Sequence, residues 1–218
     1  MSRDTFNEHR PTGSPQLFRG QPIISDQVNA QELAVICHRL ERMLASETPG
    51  SVVEFGCYAG TTSLFIRRVL DEAGESEKRQ FHVYDSFEGL PPKSAPDSSV
   101  VGDVFEEGKL YVSKKEFLHQ FRKAGLEPPV IHKAWFEQLS ATDLPKQIAF
   151  AFLDGDFYSS IMSSLALVYD RMSPGGLVLI DDYGREALPG VTRAVDDFFK
   201  KRRHPRLRQE GSIAVIMV

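Results

Sequence analysis

AFAFLDGDFYSS, from Ala149 to Ser160, is an apolar run that ends in two aspartates separated by one glycine. Ile148–Phe152 reads as a buried strand, and carboxylates at its end are not needed for packing, because a buried charge without a partner is costly. A second stretch, GGLVLIDDYG (Gly175–Gly184), repeats the pattern and delivers Asp181 and Asp182. Two apolar strands that each carry carboxylates at the C-terminal end point to one shared site.

Working outward, strands alternate with helices. SVVEF is a short buried strand, followed by a Gly-rich turn and the helix TTSLFIRRVLDEA; FHVYD is a second strand and PPVIHKA a third. The segment from Asp26 to Glu47 spaces Val28, Leu33, Ile36, Cys37, Leu40, Met43 and Leu44 at helical intervals, with Asp26 as the expected N-cap. SKKEFLHQFRKAG is an amphipathic helix stopped by Gly125. SSIMSSLALVYDRM is a helix expected to end at Pro174-Gly175-Gly176, and PGVTRAVDDFFKKRR a last helix with Pro189 in its first turn. RLRQEGSIAVIMV reads as a terminal hairpin turning at Glu210-Gly211. The expected fold is a doubly wound α/β, Rossmann-like sheet, mostly parallel and closed by an antiparallel strand pair.

The 218 residues fit one α/β domain over 26–218, preceded by a polar, proline-bearing arm over 1–25. Residues 88–113 hold prolines and glycines without periodicity, and a loop of that length is usually functional, here a lid. A net charge of −4 gives no general drive toward nucleic acid or an anionic membrane. The run KKRRHPRLR (Lys200–Arg208) reads as cations complementing a helix C-terminus rather than a nucleic-acid contact. Two cysteines, Cys37 and Cys57, without metal-type spacing suit a reducing cytoplasm, and neither a signal-peptide core nor a membrane-length apolar run is present.

In doubly wound sheets ligands bind outside the carboxyl ends of the strands. Glu54, Asp85, Asp154, Asp181 and Asp182 all fall there. In EFGCYAGTT, Gly56 and Gly60 allow a tight turn, and the helix start at Thr61-Thr62 offers free N–H donors. Tyr58 occupies the place of the middle glycine of G-x-G-x-x-G, which disfavours a dinucleotide and leaves room for a smaller nucleoside carrying an amino acid. Asp85 follows Gly60 by 25 residues, close to the ~20 at which an acidic residue takes ribose hydroxyls. Each feature also has a purely structural reading, as a packing turn or an exposed aspartate.

VVEFGCYAGTT, VYDSFEGLP, KAWFEQ, LDGDFYSS, SPGGLVLIDDYG and GVTRAVDDFF, in that order over about residues 50–200, resemble the macrocin O-methyltransferase family. The resemblance implies a class I methyltransferase dependent on S-adenosylmethionine and Mg²⁺ that methylates a sugar hydroxyl of a glycosylated small molecule. Matched residue by residue, Asp154, Asp181 and Asp182 would hold the metal and Asp156 would be the general base. Glu54, Gly56, Tyr58, Gly60, Thr61, Thr62, Asp85, Ser86, Trp135, Phe136 and Asp154 would form the cofactor pocket. Mg²⁺ suits such a set, since it prefers oxygen ligands and keeps waters that an acceptor hydroxyl can replace.

His132 is an alternative base or a strand histidine with a satisfied hydrogen bond, and Trp135 is either a cofactor contact or core. Phenol O-methyltransferases share the layout but close the metal site with Asp-Asn where this chain has Asp181-Asp182. Base methyltransferases carry D/N-P-P-Y where this chain has DGDFY. A non-catalytic cofactor-binding scaffold is disfavoured by the retained aspartates. A homo-oligomer is possible on the expectation that a partner completes the lid.

Overall fold

The computed structural model describes residues 21–102, 104–200, 202 and 206–218. The expected arm over 1–25 lies outside the described residues up to position 20. The element order is α1 (Ala30–Ala45), β1 (Ser51–Phe55), α2 (Thr61–Glu72), β2 (Phe81–Asp85), α3 (Lys114–Ala124) and β3 (Val130–Lys133). It continues with β4 (Ile148–Leu153), α4 (Tyr158–Val168), β5 (Met172–Ile180), α5 (Pro189–Phe199), β6 (Arg206–Glu210) and β7 (Ile213–Met217).

The strands form one seven-stranded sheet ordered β3-β2-β1-β4-β5-β7-β6. The first five are parallel and the last two antiparallel, as the sequence pattern anticipates. Successive side chains of a strand face opposite sides, and here both sides are apolar. Phe150, Phe152, Leu177 and Leu179 pack under α1, α2 and α3, whereas Ala151, Leu153, Val178 and Ile180 pack under α4 and α5. The central β4, IAFAFL, is buried along its whole length, which explains its unbroken apolar run.

Register sets the site. Phe55 pairs with Tyr84 on one side and Leu153 on the other, and Leu153 pairs with Ile180. One residue further, the backbone ladder still holds: Gly56 N–H bonds to Tyr84 O, Asp154 N–H to Phe55 O and Asp181 N–H to Leu153 O, at 2.8–3.0 Å. The carboxylates therefore leave the sheet along one edge, across the β1/β4 point where strand order reverses.

Two boundaries differ from expectation. The cap of α1 is Asn29, whose side chain accepts the Gln31 and Glu32 N–H groups while Glu32 Oε2 accepts the Asn29 N–H at 2.9 Å. That reciprocal box satisfies more end groups than Asp26 could from further upstream. Pro174-Gly175-Gly176 does not stop α4, which ends at Val168 and passes through a single 3₁₀ turn. The three residues belong to β5, where the register with β4 jumps from Ile148↔Met172 to Phe150↔Leu177 and Gly175 N–H bonds to Val218 O. The terminal chain pairing supplies the partners that make this irregular stretch a strand.

Candidate active site

Four turns leave the carboxyl edge, and each bends through a non-glycine residue in the left-handed region: Tyr58 (φ 42°), Phe87 (54°), Asp156 (58°) and Asp182 (56°). Such conformations cost roughly 1–2 kcal/mol per residue and recur at functional sites. Their effect is to fold each turn back sharply, so that side chains converge over the strand ends. Gly56 (φ 83°) is required more strictly: a Cβ there would lie 1.9 Å from Asp154 O.

The cavity above this edge is lined by Gly56, Tyr58, Asp85, Ser86, Trp135, Phe136, Asp154, Asp156 and Asp182, all expected site residues. Asp85 is held by two backbone donors, Cys57 N–H to Oδ2 at 2.8 Å and Phe87 N–H to Oδ1 at 2.7 Å. Phe136 packs edge-on against Phe55 at 5.2 Å between ring centres. The opposite wall is apolar, from Leu90, Pro91, Phe105 and Leu110, with Gln27 and Arg185 at the margin. Leu90 and Pro91 end the VYDSFEGLP stretch; Phe105, Leu110, Gln27 and Arg185 carry no motif, and only their place in the folded chain identifies them.

Other expected residues lie behind the cavity. Glu54 is fully buried, with Oε2 accepting the Ser63 hydroxyl at 2.5 Å and Oε1 without a partner among the described residues. Burial pushes its carboxyl up to about 8; the Asp85 charge adds to this and the Ser63 hydrogen bond opposes it. Gly60, Thr61 and Thr62 build the start of α2 and do not line the cavity; Thr61 Oγ1 is also buried without a partner among the described residues. His132 stacks on Tyr84 at 4.4 Å and approaches His82 Nδ1 at 3.1 Å, away from the cavity.

Asp154, Asp156 and Asp182 each offer an oxygen within 4.8 Å of the others, the group of this kind among the described residues that could hold a metal ion. Burial first, then mutual repulsion with Asp181 and Asp182, holds Asp154 and Asp156 well above the usual carboxylate range. Asp181 is raised to about 7 and Asp182 to about 6, both chiefly by burial, with Arg185 pulling each back down. Asp181 is outside that group of three: its Oδ1 accepts the Asp182 N–H at 3.0 Å and the Ser212 hydroxyl at 3.5 Å. The set expected from sequence and the set the geometry gathers thus share Asp154 and Asp182. The donors are all hard oxygens, crowded and under-neutralised, which fits Mg²⁺.

The segment 88–113 is anchored at three places. Leu90 exchanges backbone hydrogen bonds with Gly108 and Lys109, closing a neck. Asp97 is buried, accepting from the Ser94 N–H and hydroxyl and from the Tyr158 N–H at 2.7 Å, which caps α4. It fits only because residue 190 is glycine: a Cβ there would lie 1.8 Å from Asp97 Oδ1. Ser99 donates to Glu186 O at 2.7 Å. Beyond these, Val100, Val101 and Val104 are exposed. Of the basic run, Arg202 pairs with Asp170 at 3.0 Å and covers the Phe198 ring; Lys201, Arg203, His204 and Pro205 lie outside the described residues. No helix among the described residues is long and apolar enough to cross a membrane.

Comparison with known proteins identifies the family and the fold. The family model of macrocin O-methyltransferase matches residues 20–208. An 8-demethyl-8-(2,3-dimethoxy-alpha-L-rhamnosyl)-tetracenomycin-C 4′-O-methyltransferase of Streptomyces olivaceus is 32% identical over 86% of this chain and 73% of its own. A mycinamicin III 3″-O-methyltransferase of Micromonospora griseorubida is 29% identical over 78% and 68%. Among solved structures, the O-methyltransferase NovP superposes with a TM-score of 0.73 at 26% identity, covering 86% of this chain and 79% of NovP. A calicheamicin methyltransferase shares the fold, with a TM-score of 0.69 at 18% identity over 93% and 88%.

Proposed function

Because the chain belongs to the macrocin O-methyltransferase family, we propose that it moves the methyl group of S-adenosylmethionine to a sugar hydroxyl of a glycosylated small molecule, with Mg²⁺ at its aspartate edge. The observation that carries this reading is the convergence of Asp154, Asp156 and Asp182 beside the cavity that Asp85 and Trp135 line. Two of the relatives are named for methylating a natural product at a primed position.

In this reading Asp85 accepts ribose hydroxyls with the lone pairs its two backbone donors leave free, and Trp135 and Phe136 offer apolar faces to the adenine. Gly56 lets the first turn lie against the end of β4 beside the cofactor pocket. Asp154 and Asp182 would hold Mg²⁺, with Asp181, whose Oδ1 here accepts from the Asp182 N–H and Ser212, as the third carboxylate that the family resemblance supplies; the ion would make a sugar hydroxyl more acidic and fix its direction. Asp156 lines the cavity beside the proposed cation, so it is placed to accept the hydroxyl proton as the oxygen attacks the methyl group. The sulfonium is itself the leaving group, so no general acid is required. The apolar wall from Leu90 to Leu110 excludes water from the reacting atoms, and the tip of 88–113 serves as the lid over the acceptor.

The division of labour is tested by two variants. Asp181→Asn should lose Mg²⁺ affinity by calorimetry. Asp156→Asn should keep Mg²⁺ and cofactor affinity while losing turnover by ~10²–10⁴. If Asp156→Asn instead loses the cation and Asp181→Asn keeps it, the geometric trio is the ligand set and Asp156 is not the base.

A further inference from the structure

Glu32, on the first turn of α1, closes the capping box with Asn29, and it is buried next to Arg185, which lines the cavity. Both its oxygens are occupied: Oε2 by the Asn29 N–H at 2.9 Å, and Oε1 by the Ser212 hydroxyl at 2.8 Å and Arg185 Nη2 at 2.5 Å. Three elements far apart in sequence, the start of α1, the turn after β5 and the β6–β7 turn, therefore meet on one carboxylate. Arg185 reaches in the other direction as well, its Nε lying 2.8 Å from Asp182 Oδ1.

The geometry of the guanidinium gives this pairing a consequence. A free arginine prefers to grip a carboxylate with two parallel N–H groups, one on each oxygen. Were Arg185 given wholly to Asp182, it would take both oxygens and bring a full positive charge to the edge where Asp154 and Asp156 converge. Instead Nη2 goes to Glu32 Oε1 while Nε meets Asp182 Oδ1, so the two carboxylates share one guanidinium. The Glu32 and Asp182 side chains are 8% and 11% exposed, so the guanidinium lies between two carboxylates that water screens poorly.

We infer that Glu32 is a positioning residue for the cation edge of the site: by sharing the Arg185 guanidinium it draws part of that positive charge away from Asp182. This rests on the proposed Mg²⁺ site but adds a residue that neither lines the cavity nor ligates.

The test is calorimetric titration of MgCl₂ into the full chain saturated with S-adenosylhomocysteine, for the parent, Glu32→Gln, and Glu32→Gln with Arg185→Met. An adjacent arginine shifts a carboxylate's proton affinity by about one to three log units. Glu32→Gln should therefore weaken Mg²⁺ binding by about tenfold or more, with S-adenosylhomocysteine affinity within about twofold of the parent. With Arg185→Met alone run beside them, removing the arginine should raise cation affinity more in the Glu32→Gln background than in the parent, an excess that a purely structural role for Glu32 could not produce. Should Glu32→Gln fail to fold, Glu32→Asp keeps the charge with shorter reach and should weaken Mg²⁺ binding in the same direction. Unchanged Mg²⁺ affinity in Glu32→Gln, or no such excess in the double variant, overturns the inference and leaves the proposed activity standing. A parent chain that binds no Mg²⁺ overturns both the inference and the cation part of that activity.

Discussion

Asp85 Oδ2 accepts the Cys57 N–H at 2.8 Å, and so pins the turn after β1 to the end of β2. Its other oxygen accepts the Phe87 N–H at 2.7 Å, so one carboxylate shapes two of the four turns over the strand edge. Asp85→Ala should therefore do two things at once. Losing a charge-assisted acceptor worth about 1.5–3 kcal/mol should weaken S-adenosylhomocysteine binding roughly tenfold to a hundredfold. Losing the two backbone acceptors should also lower the melting temperature of the ligand-free protein. An unchanged dissociation constant by calorimetry would place the cofactor elsewhere.

Glu54 gives the ligand-free protein a pH dependence with a definite sign. Its carboxyl is raised from 4.5 to about 8 in the folded chain, mainly by burial. Between those values the unfolded chain has released this proton and the folded chain has kept it, so rising pH favours unfolding. Glu54→Gln should therefore flatten the decline of the melting temperature from pH 5 to pH 8 and exceed the parent's stability at pH 8. A parallel pair of curves would show that Glu54 is ionised in the folded protein at neutral pH.

Gly56→Ala tests the close approach of the first turn to Asp154. With a Cβ 1.9 Å from a backbone oxygen, and φ at 83°, the turn must move or the protein must unfold. Cofactor binding should be lost together with several degrees of melting temperature, corresponding to about 1–3 kcal/mol of strain. An alanine variant with parent-like affinity would mean that the turn is not packed against β4 as described.

The anchors on 88–113 narrow where that segment can open. Cleavage in limited proteolysis should fall between residues 100 and 107, beyond Asp97 and Ser99 and inside the Leu90–Gly108 neck, and should slow when S-adenosylhomocysteine, Mg²⁺ and acceptor are added. Cutting at residues 90–97 at the same rate would show that the Asp97 cap on α4 does not hold.

The centre of the sheet was legible because β4 and the end of β5 are continuous apolar runs ended by aspartate, and with β2 they put Asp154, Asp182 and Asp85 on one edge. Other features depended on contacts across the chain. Asp26 and Asn29 are both capping residues, and Glu32 three positions after Asn29 is the local signal that distinguishes them. Pro174-Gly175-Gly176 reads as a helix stop until Val218 is known to pair beside it. Asp181 and Asp182 are adjacent in sequence, yet Asp182 joins Asp154 and Asp156 within 4.8 Å while Asp181 turns to Ser212. The Glu32–Arg185 pair spans 153 residues and leaves no local trace.

The most direct test of the account is transfer of a labelled methyl group from S-adenosylmethionine to a panel of glycosylated acceptors and their aglycones. Each reaction is run with Mg²⁺ and with EDTA, and the methylated oxygen is located by NMR. The account predicts label on a sugar oxygen of a glycoside, none on the aglycones, and loss of transfer in EDTA that added Mg²⁺ restores. Methylation of an aglycone oxygen, or full transfer to a sugar in EDTA, would contradict it.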